Sequence, residues 1–472
     1  MPERGAPAGD LAIVLHSHMP YVEGFGTYPF GEEWLFDAVV RSYLPVLAQA
    51  RDITVTVSPV LADQLEAGGV MERLEAFARR FRLEPAERDA NDAPEELRPA
   101  AAAEAARYRR AVDRLAELGG NALSAFGEAA RERGVALVPT AASHAVLPLV
   151  ATAAGRRLQI DAALRSHGRR FGPARGFWLP ECAYRAGIES LLTERGLRFF
   201  CADQSRDEPA SASLVPVRAA ADLVAFTIDW ETVELVWSER GYPADPAYAE
   251  YHRLSMEGTR LWAVSGSAYD PGAAAARAEQ HADDFLDRVA ARLTAFRSER
   301  GRPGLVTFAV DTELLGHWWA EGPLWLARVL SRAEARGVRL VTLPEALDRH
   351  EPEARGLRES TWGEEKDLRT WDSPAVGDLA WASRRLELRL LAELGAGALS
   401  REAAERSARE LLALQASDWA FLDRRGQAGD YPYQRSTGHA LALLEAVHSR
   451  RPVDPFVRNL APDLSLAPLL EP

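Results

Sequence analysis

The stretch Leu305-Val-Thr-Phe-Ala-Val-Asp-Thr-Glu-Leu-Leu-Gly-His-Trp-Trp319 joins an apolar run to a carboxylate, and aromatic residues follow a few positions later. Near-continuous apolar runs that alternate with amphipathic helical patterns are typical of buried parallel strands. Seven such β-type runs occur along the chain, at 11–15, 53–58, 135–140, 175–178, 198–202, 305–310 and 338–342. The alternation predicts an α/β fold, and the number of runs favours a seven-stranded (β/α) barrel over an open sheet.

Two insertions interrupt this alternation, and helical patterns replace it towards the C-terminus. The insertion at about 61–133 is predicted to be helical, with a polar loop at 84–99. The insertion at about 204–280 is irregular, and its apolar runs 223–228 and 261–264 could be strands of a side element. Residues 1–350 are therefore interpreted as the barrel, and residues 351–472 as a C-terminal all-helical domain with helices at 379–394, 400–414 and 438–449.

Composition excludes several classes of protein. A net charge of −13 and a pI of about 5.4 argue against a general affinity for nucleic acid or an anionic membrane. The two cysteines cannot form a disulfide framework. Because the N-terminus lacks a signal-peptide pattern and no run reaches about 18 apolar residues, we predict a cytoplasmic protein with no membrane partner.

Polar side chains follow most of the predicted strands, at the place where an α/β barrel builds its active site. Glu181 lies in Gly176-Phe-Trp-Leu-Pro-Glu-Cys-Ala-Tyr184, after the fourth run, and Asp311 follows the sixth. A carboxylate pair beside indole rings is what cleavage of a sugar acetal requires. The alternative is that the two acids cap the helices that follow them.

We expect Asp311 to be protonated, because the charge of Glu181 and partial burial should raise the pKa of Asp311. We expect Glu181 to stay ionised.

His16 and His18 directly follow the first run, and in an extended segment both imidazoles point to one face. Such a pair can hydrogen-bond a ligand, or it can bind a metal if His144 or Asp203 supplies a third ligand. It can equally be satisfied by neighbouring backbone groups.

The 12 tryptophans cluster near the predicted carboxylates, which suits binding to the apolar faces of pyranose rings, although a single Trp is more often a core residue. Trp318 and Trp319 are adjacent, so in an extended segment they face opposite ways.

Asp418 ends a helical pattern, where a carboxylate opposes the helix dipole. This placement suggests a contact with ligand or a partner loop rather than an ordinary surface acid.

Several segments together resemble glycoside hydrolase family 57, most closely its 1,4-α-glucan branching enzymes. They are His16-Ser-His-Met-Pro-Tyr21, Glu33-Trp-Leu-Phe36, Ala142-Ser-His-Ala-Val-Leu-Pro148, Gly176–Tyr184, Asp311–Trp319 with Glu321-Gly-Pro323, and Ala416-Ser-Asp-Trp419. The resemblance implies a seven-stranded (β/α) barrel and a helical C-terminal domain that contributes to the glucan groove.

The resemblance also implies roles for individual residues. Glu181 corresponds to the nucleophile of a retaining double displacement, and Asp311 to the general acid/base. The substrate-binding residues that it implies are His16, His18, Trp34, His144, Trp262, Trp371, Asp418 and Trp419. No cofactor and no metal is implied, and the partners would be α-glucan donor and acceptor chains.

The chain departs from the family pattern in one informative loop. Branching members carry a Gly-Tyr-Pro-Gly-Asp-like segment whose Tyr favours transfer over hydrolysis, and here the segment reads Gly241-Tyr-Pro-Ala-Asp245. We interpret Tyr242 as the transfer-selectivity residue of a lid, although it could be an ordinary surface residue in a turn.

Two alternatives to a branching enzyme within the family are an α-1,4-glucan hydrolase and a 4-α-glucanotransferase. A more distant alternative is a metal-dependent polysaccharide deacetylase. The choice between a monomer and a dimer is left open.

Overall fold

The computed structural model describes residues 7–24, 26, 30–206, 209–449 and 459–471, and within them the protein is a mixed α/β structure with largely parallel sheets. The strands are β1 (Gly9–Ser17), β2 (Thr54–Val57), β3 (Ala136–Pro139), β4 (Gly176–Phe177), β5 (Phe199–Ala202), β6 (Val217–Ala220), β7 (Leu223–Thr227), β8 (Gly304–Asp311) and β9 (Val338–Leu340). Each of the seven runs predicted from the sequence overlaps one of these strands.

Helices surround the strands and make up most of the C-terminal part of the chain. They are α1 (Glu32–Ala38), α2 (Leu44–Gln49), α3 (Pro59–Leu65), α4 (Val70–Ala76), α5 (Glu84–Asp92), α6 (Arg98–Glu117), α7 (Ser124–Arg133), α8 (Ala153–Phe171), α9 (Ile188–Thr193), α10 (Trp230–Trp237), α11 (Pro271–Arg300), α12 (Gly322–Arg332), α13 (Leu343–Arg349), α14 (Gly377–Gly395), α15 (Arg401–Leu414), α16 (Ser417–Arg424), α17 (Tyr431–Ser449) and α18 (Ala467–Leu470). None of the helices in these parts of the chain has the length and apolarity that a bilayer crossing requires.

Two sheets form the centre of the fold. In the first, the order is β3-β2-β1-β8, with β9 paired to the beginning of β1, and every pairing is parallel. In the second, the order is β4-β5-β7-β6, with only β6 antiparallel. A parallel bridge between Thr140 and Trp178 joins β3 to β4, and the Asp229 amide donates to the Thr307 carbonyl at 2.9 Å, which joins the end of β7 to β8. The two sheets are therefore linked at both edges.

The strand at 223–227 differs from the prediction. The run 223–228 was assigned to a side element, but β7 pairs in parallel with β5 over four residues and is buried along its whole length. Conversely, the predicted seventh strand, β9, pairs over only three residues at the start of β1. The segments that flank β7 are polar and irregular, so the sequence did not indicate that β7 belongs to the central sheets. Periodicity alone does not reveal which runs share a sheet.

The predicted loop at 84–99 is only partly correct. Residues 93–97 connect two helices, but Glu84–Asp92 form α5, which continues directly from a π-helical segment, Phe77–Leu83. α5 packs against α6, so tertiary contact overrides the polar composition. The rest of the 61–133 insertion is helical, as predicted.

The C-terminal helices pack on one another and on the loops that follow β3 and β4. α15 packs against α17, and α14 against both of them. Hydrogen bonds cross to the N-terminal part of the chain: the Gln159 side chain donates to Gln415 at 2.9 Å, and Ser143 donates to the Leu412 carbonyl. These contacts fix α16, which begins immediately afterwards, against the carboxyl ends of the strands.

Candidate active site

Glu181 lies in a strained turn directly after β4. Its φ is 58° and that of Cys182 is 48°, and this left-handed region is unfavourable for residues that carry a Cβ. Strain of this kind persists only where the surroundings over-determine the backbone, and it concentrates at functional sites. The Ser417 hydroxyl donates to Glu181 Oε1 at 2.8 Å, and His144 Nδ1 lies 3.5 Å from the same oxygen. The turn therefore presents the carboxyl group to a fixed set of donors.

Asp311 is the last residue of β8 and lies beside His16 in the parallel register of β1 and β8. The chain then turns sharply at Gly316, where φ is 104° and a Cβ would lie 2.0 Å from the Arg41 carbonyl oxygen. Only glycine fits there, because a left-handed backbone coincides with a close approach of another segment. Beyond the turn, Trp319 is buried and Trp318 is 47 % exposed, so the adjacent indoles face opposite ways as expected.

Two histidines, His16 and His144, and two hydroxyl residues, Thr56 and Ser417, form one hydrogen-bonded chain that ends at Glu181. His16 Nδ1 lies 2.5 Å from Thr56 Oγ1, and His16 Nε2 lies 2.9 Å from His144 Nε2. His144 Nδ1 lies 2.9 Å from Ser417 Oγ. If Ser417 donates to Glu181, then His144 donates to Ser417, His16 donates to His144, and Thr56 donates to His16. The chain thus fixes the tautomers of both imidazoles.

These imidazoles are neutral. Burial lowers the pKa of His16 and that of His144 well below the ordinary value, and the charge of His18 lowers both further. His18 stacks on His144 at 4.0 Å between ring centroids. His18 Nδ1 meets Ser58 Oγ at 2.9 Å, and its Nε2 lies 3.1 Å from Asp418 Oδ1. The three rings thus form a layered wall beside the carboxyl group of Glu181.

Asp418 occupies a different helical position from the predicted one. It lies in the first turn of α16, not at the end of a helix, so its charge is favourable to the helix dipole. The break between α15 and α16 at 415–416 is not visible in the apolar pattern. The predicted contact with a partner loop is present, since the carboxylate meets His18 with both oxygens, at 3.1 and 3.3 Å.

The two candidate catalytic carboxyl groups both have raised pKa values. Burial raises the pKa of Glu181 to about 8; Ser417 opposes the shift, and the charges of Asp311 and Asp418 add to it. Burial raises the pKa of Asp311 to about 6, and the charge of His18 opposes the shift. The predicted direction for Asp311 is confirmed, with burial as its cause. The expectation that Glu181 stays ionised is wrong for the unliganded protein, because burial outweighs its single hydroxyl donor.

A third, half-buried carboxyl group, that of Glu313, was missed in the sequence. It accepts from the Tyr43 hydroxyl and, at 3.3 Å, from the His18 amide. Burial and the charge of Asp311 raise the pKa of Glu313 to about 8. Ser417, Thr56 and Ser58 were missed as well. The only available signal for Thr56 and Ser58 was their position at the end of a predicted strand.

The predicted groove tryptophans have different surroundings. Trp419 is 2 % exposed and its Nε1 donates to the Ala413 carbonyl at 2.8 Å. Trp371 is also buried, and with Trp419 and Ser417 it lines a small cavity of about 60 Å³. Trp34 is half-buried and meets Tyr431 edge-on at 5.4 Å. Trp262 is half-buried beneath the Arg253 guanidinium, which lies 4.2 Å from its ring centroid. Trp371 and Trp419 thus pack behind Ser417.

Tyr242 is anchored to α11. Its hydroxyl donates to Asp284 Oδ2 at 2.6 Å, and its ring stacks on His281 at 4.4 Å. Burial raises the pKa of Tyr242. The lid role of Tyr242 stays a prediction.

The histidines of the site do not form a metal-binding group in the described part of the chain, where no three His, Cys, Asp or Glu side chains converge in that way. Asp203, proposed as a third ligand, instead accepts from Lys366 Nζ at 2.7 Å. The nitrogens of His16, His18 and His144 are all engaged in hydrogen bonds with protein groups.

Fold and site together define a class of protein: a carbohydrate-active enzyme that presents two carboxyl groups at the carboxyl ends of parallel strands. A family model described as glycosyl hydrolase family 57 matches residues 12–357, and one described as 1,4-alpha-glucan branching enzyme, C-terminal, matches residues 379–459. The chain belongs to glycosyl hydrolase family 57.

Named relatives agree with this assignment. A 1,4-alpha-glucan branching enzyme of Thermococcus kodakarensis is 33 % identical, over 92 % of this chain and 72 % of that protein. A probable 1,4-alpha-glucan branching enzyme of Mycobacterium tuberculosis is 33 % identical, over 93 % of this chain and 91 % of that protein. The crystal structure of the Thermococcus enzyme in complex with glucose superposes with a TM-score of 0.90, at 30 % identity, over 98 % of this chain and 97 % of that one.

Proposed function

We propose that this protein is a 1,4-α-glucan branching enzyme, which cleaves an α-1,4 bond and transfers the fragment to a 6-hydroxyl group. The observation that carries the proposal is the hydrogen-bonded chain that ends on Glu181, with Asp311 at the end of β8 beside it. The similarity to named branching enzymes over more than nine-tenths of the chain supports the choice of substrate and reaction.

The proposed reaction has two displacements at one anomeric carbon. In the first, a Glu181 oxygen attacks that carbon, the glycosidic C–O bond breaks, and Asp311 gives its proton to the leaving oxygen. In the second, Asp311 takes the proton of an acceptor 6-hydroxyl, the new C–O bond forms, and Glu181 leaves. The first step requires Glu181 ionised and Asp311 protonated, so the pair must hold one proton, on Asp311, when the glucan binds.

Several side chains would bind the sugar around this centre. The neutral imidazoles of His16 and His144 suit hydroxyl groups, while His18 and Asp418 form a hydrogen-bonded pair beside them. Trp34 and Trp262, both half-buried, are the more accessible proposed groove residues. Trp371 and Trp419 would act on the groove by holding Ser417 in place.

The architecture we propose is a seven-stranded barrel made of β1, β2, β3, β4, β5, β7 and β8. It is supported by the parallel pairings and by the two links between the sheets. Residues 1–350 would form this domain with its insertions, and residues 351–472 a helical domain that supplies Ser417 and Asp418. We place the enzyme in the cytoplasm, acting on glycogen-like donor and acceptor chains, as a monomer or a dimer.

Tyr242 remains our candidate for favouring transfer over hydrolysis. Because its hydroxyl is anchored to Asp284, any effect would come through the position of the loop around 238–251. We expect Tyr242→Ala to lower the ratio of new α-1,6 bonds to released reducing ends while bond cleavage stays within about threefold of the parent, since water would gain access to the intermediate. Tyr242→Phe, which keeps the ring on His281 but loses the hydrogen bond to Asp284, measures how much of the effect comes from that anchor. An unchanged ratio in Tyr242→Ala would remove this residue from the proposal.

The overall function is tested by incubating the protein with amylose and counting α-1,6 linkages and free reducing ends. Branching predicts new α-1,6 linkages with few added reducing ends. A rise in reducing ends without α-1,6 linkages would indicate an α-1,4-glucan hydrolase, and redistribution of α-1,4 chain lengths would indicate a 4-α-glucanotransferase. Release of acetate from an acetylated polysaccharide, dependent on added zinc, would indicate the deacetylase alternative.

A further inference from the structure

Lys366 is the one lysine in a chain that otherwise uses arginine for its 55 remaining basic side chains, from a total of 56 Lys and Arg. Its ammonium group lies 2.7 Å from Asp203 Oδ2 and 2.9 Å from the centroid of the Trp230 ring. The Asp203 side chain is fully buried, and its other oxygen accepts from the amide and hydroxyl of Ser205. A compact ammonium fits between a carboxylate and an indole face, where a planar guanidinium needs a wider slot.

Lys366 belongs to a segment that contacts the turn carrying Glu181. We call residues 358–371 the brace segment. The Trp362 amide donates to the Glu181 carbonyl at 2.7 Å, and Ser360 and Tyr184 exchange two backbone hydrogen bonds at 2.9 and 3.2 Å. The Trp362 ring also meets that of Trp178 edge-on at 5.0 Å. The backbone of Glu181 is thus hydrogen-bonded by the brace segment, while its carboxyl group is held by Ser417.

The brace segment is itself strained. Glu365 and Lys366 have φ values of 56° and 57°, so two consecutive residues with side chains adopt the left-handed region. A turn of this kind needs external support, because such conformations are unfavourable for residues that carry a Cβ. The Thr361 amide supports it by donating to the Lys366 carbonyl at 3.1 Å, and the ion pair with Asp203 ties the turn to the end of β5. Two strained turns, at 181–182 and 365–366, are therefore joined through one segment.

We propose that Lys366 is a positioning residue, which acts through the brace segment to hold the backbone of Glu181 in its strained conformation. Loss of the Asp203–Lys366 pair releases the turn at 365–366, weakens the hydrogen bond from Trp362 to Glu181, and lets the carboxyl group move away from the position for attack. This inference rests on the proposed role of Glu181 and extends it to a residue outside the site.

The test uses the full chain with three variants. Lys366→Met removes the ammonium, and Asp203→Asn/Lys366→Met removes both charges, so that no buried carboxylate is left without its partner. Arg424→Met is the matched control, because it breaks a more exposed ion pair with Glu364 on the same segment. Amide hydrogen exchange at Trp362 reports on the brace segment independently of any reaction. The kcat and KM on amylose report on the position of the nucleophile.

We expect both Lys366 variants to speed exchange at the Trp362 amide by roughly tenfold or more, as local opening becomes easier. We expect kcat to fall roughly 10- to 100-fold, the effect of a misplacement of about 1 Å, with KM within about twofold of the parent. Arg424→Met should match the parent in both measurements. Faster exchange with unchanged kcat, or unchanged exchange, would overturn the inference. A parent protein without glucan activity would refute the proposed function instead, and the exchange result would still decide whether Lys366 holds the brace segment.

Discussion

Ser417 donates the hydrogen bond that holds the Glu181 carboxyl group, and this bond opposes the effect of burial on the pKa of Glu181. In Ser417→Ala, the ionised form of Glu181 loses its donor and the pKa rises further. We expect the acid limb of the kcat/KM profile to move upward by roughly one to two pH units, since a hydrogen bond to a charged group contributes about 1.5–3 kcal/mol. The measurement is a pH–rate profile on a soluble glucan. Ser417→Thr, which keeps the hydroxyl, is the control, and a limb that stays in place would contradict this role.

Asp311 has a separate test, because an acid is needed only for a poor leaving group. Asp311→Asn should lower cleavage of amylose by roughly 10²–10⁴-fold, the usual contribution of a general acid. An α-glycosyl fluoride, whose leaving group needs no proton, should still react with Glu181. Glycosylation is measured by mass spectrometry of the labelled protein. Equal loss on both substrates would show that Asp311 does not act as the acid.

The sequence was sufficient to place Glu181 and Asp311 directly after strands, because each follows an apolar run inside an aromatic segment. It was sufficient for the raised pKa of Asp311 but not for that of Glu181, because burial by distant segments sets the pKa of Glu181. Ser417 illustrates the same limit: it lies 236 residues from Glu181, and its hydroxyl is unremarkable in a helical pattern. His18 and Asp418, 400 residues apart, were both identified as site residues, although their contact with each other was not foreseen.

Helix α16 brings Ser417 and Asp418 to the strand ends, and Trp419 anchors that helix. The Trp419 side chain is buried with its Nε1 satisfied by Ala413, so we expect a structural role to dominate. Trp419→Ala should lower the free energy of unfolding by about 3–5 kcal/mol, as large core truncations do. Denaturant unfolding measures the loss. Truncation of the half-buried Trp34 to Ala is the comparison, and it should raise KM with a smaller loss of stability. If the Trp419 variant kept the stability of the parent but had a raised KM, the result would indicate a role in glucan binding and not a structural role.

The strands show why element-level prediction was partly successful. Runs flanked by clear helical patterns, such as those of β1 and β8, were assigned correctly. β7 was assigned to a side element because its flanks are irregular, yet its pairing with β5 gives it the burial of a central strand. Strand pairing depends on residues far apart in the sequence. The local pattern of apolar residues, whether alternating or near-continuous, therefore does not predict which strands pair.

Across the whole molecule, the buried carboxyl groups make stability depend on pH. A carboxyl whose pKa is higher in the folded state binds more protons when folded, so the free energy of unfolding falls as pH rises through the interval between the two values. For Glu181 this interval runs from 4.5 to about 8. Glu181→Gln should therefore raise Tm at pH 8 by roughly 2–4 °C, with a difference that vanishes below pH 4.5. Calorimetry at both pH values measures it, and Glu194→Gln, at an exposed acid directly after α9, is the control. An inactive Glu181→Gln variant with no gain in Tm at pH 8 would mean that the carboxyl is not destabilising.

The contact between Ser417 and Glu181 has a consequence for the order in which the protein is made. The nucleophile turn and the three histidines are synthesised before residue 182, whereas the hydroxyl that holds the carboxyl group arrives only after more than 230 further residues. A nascent or prematurely terminated chain that stops before α16 lacks Ser417, so the Glu181 carboxyl group has no hydroxyl donor. Contacts of such sequence separation form late in folding. Assembly of the candidate active site is therefore complete only when translation has passed α16.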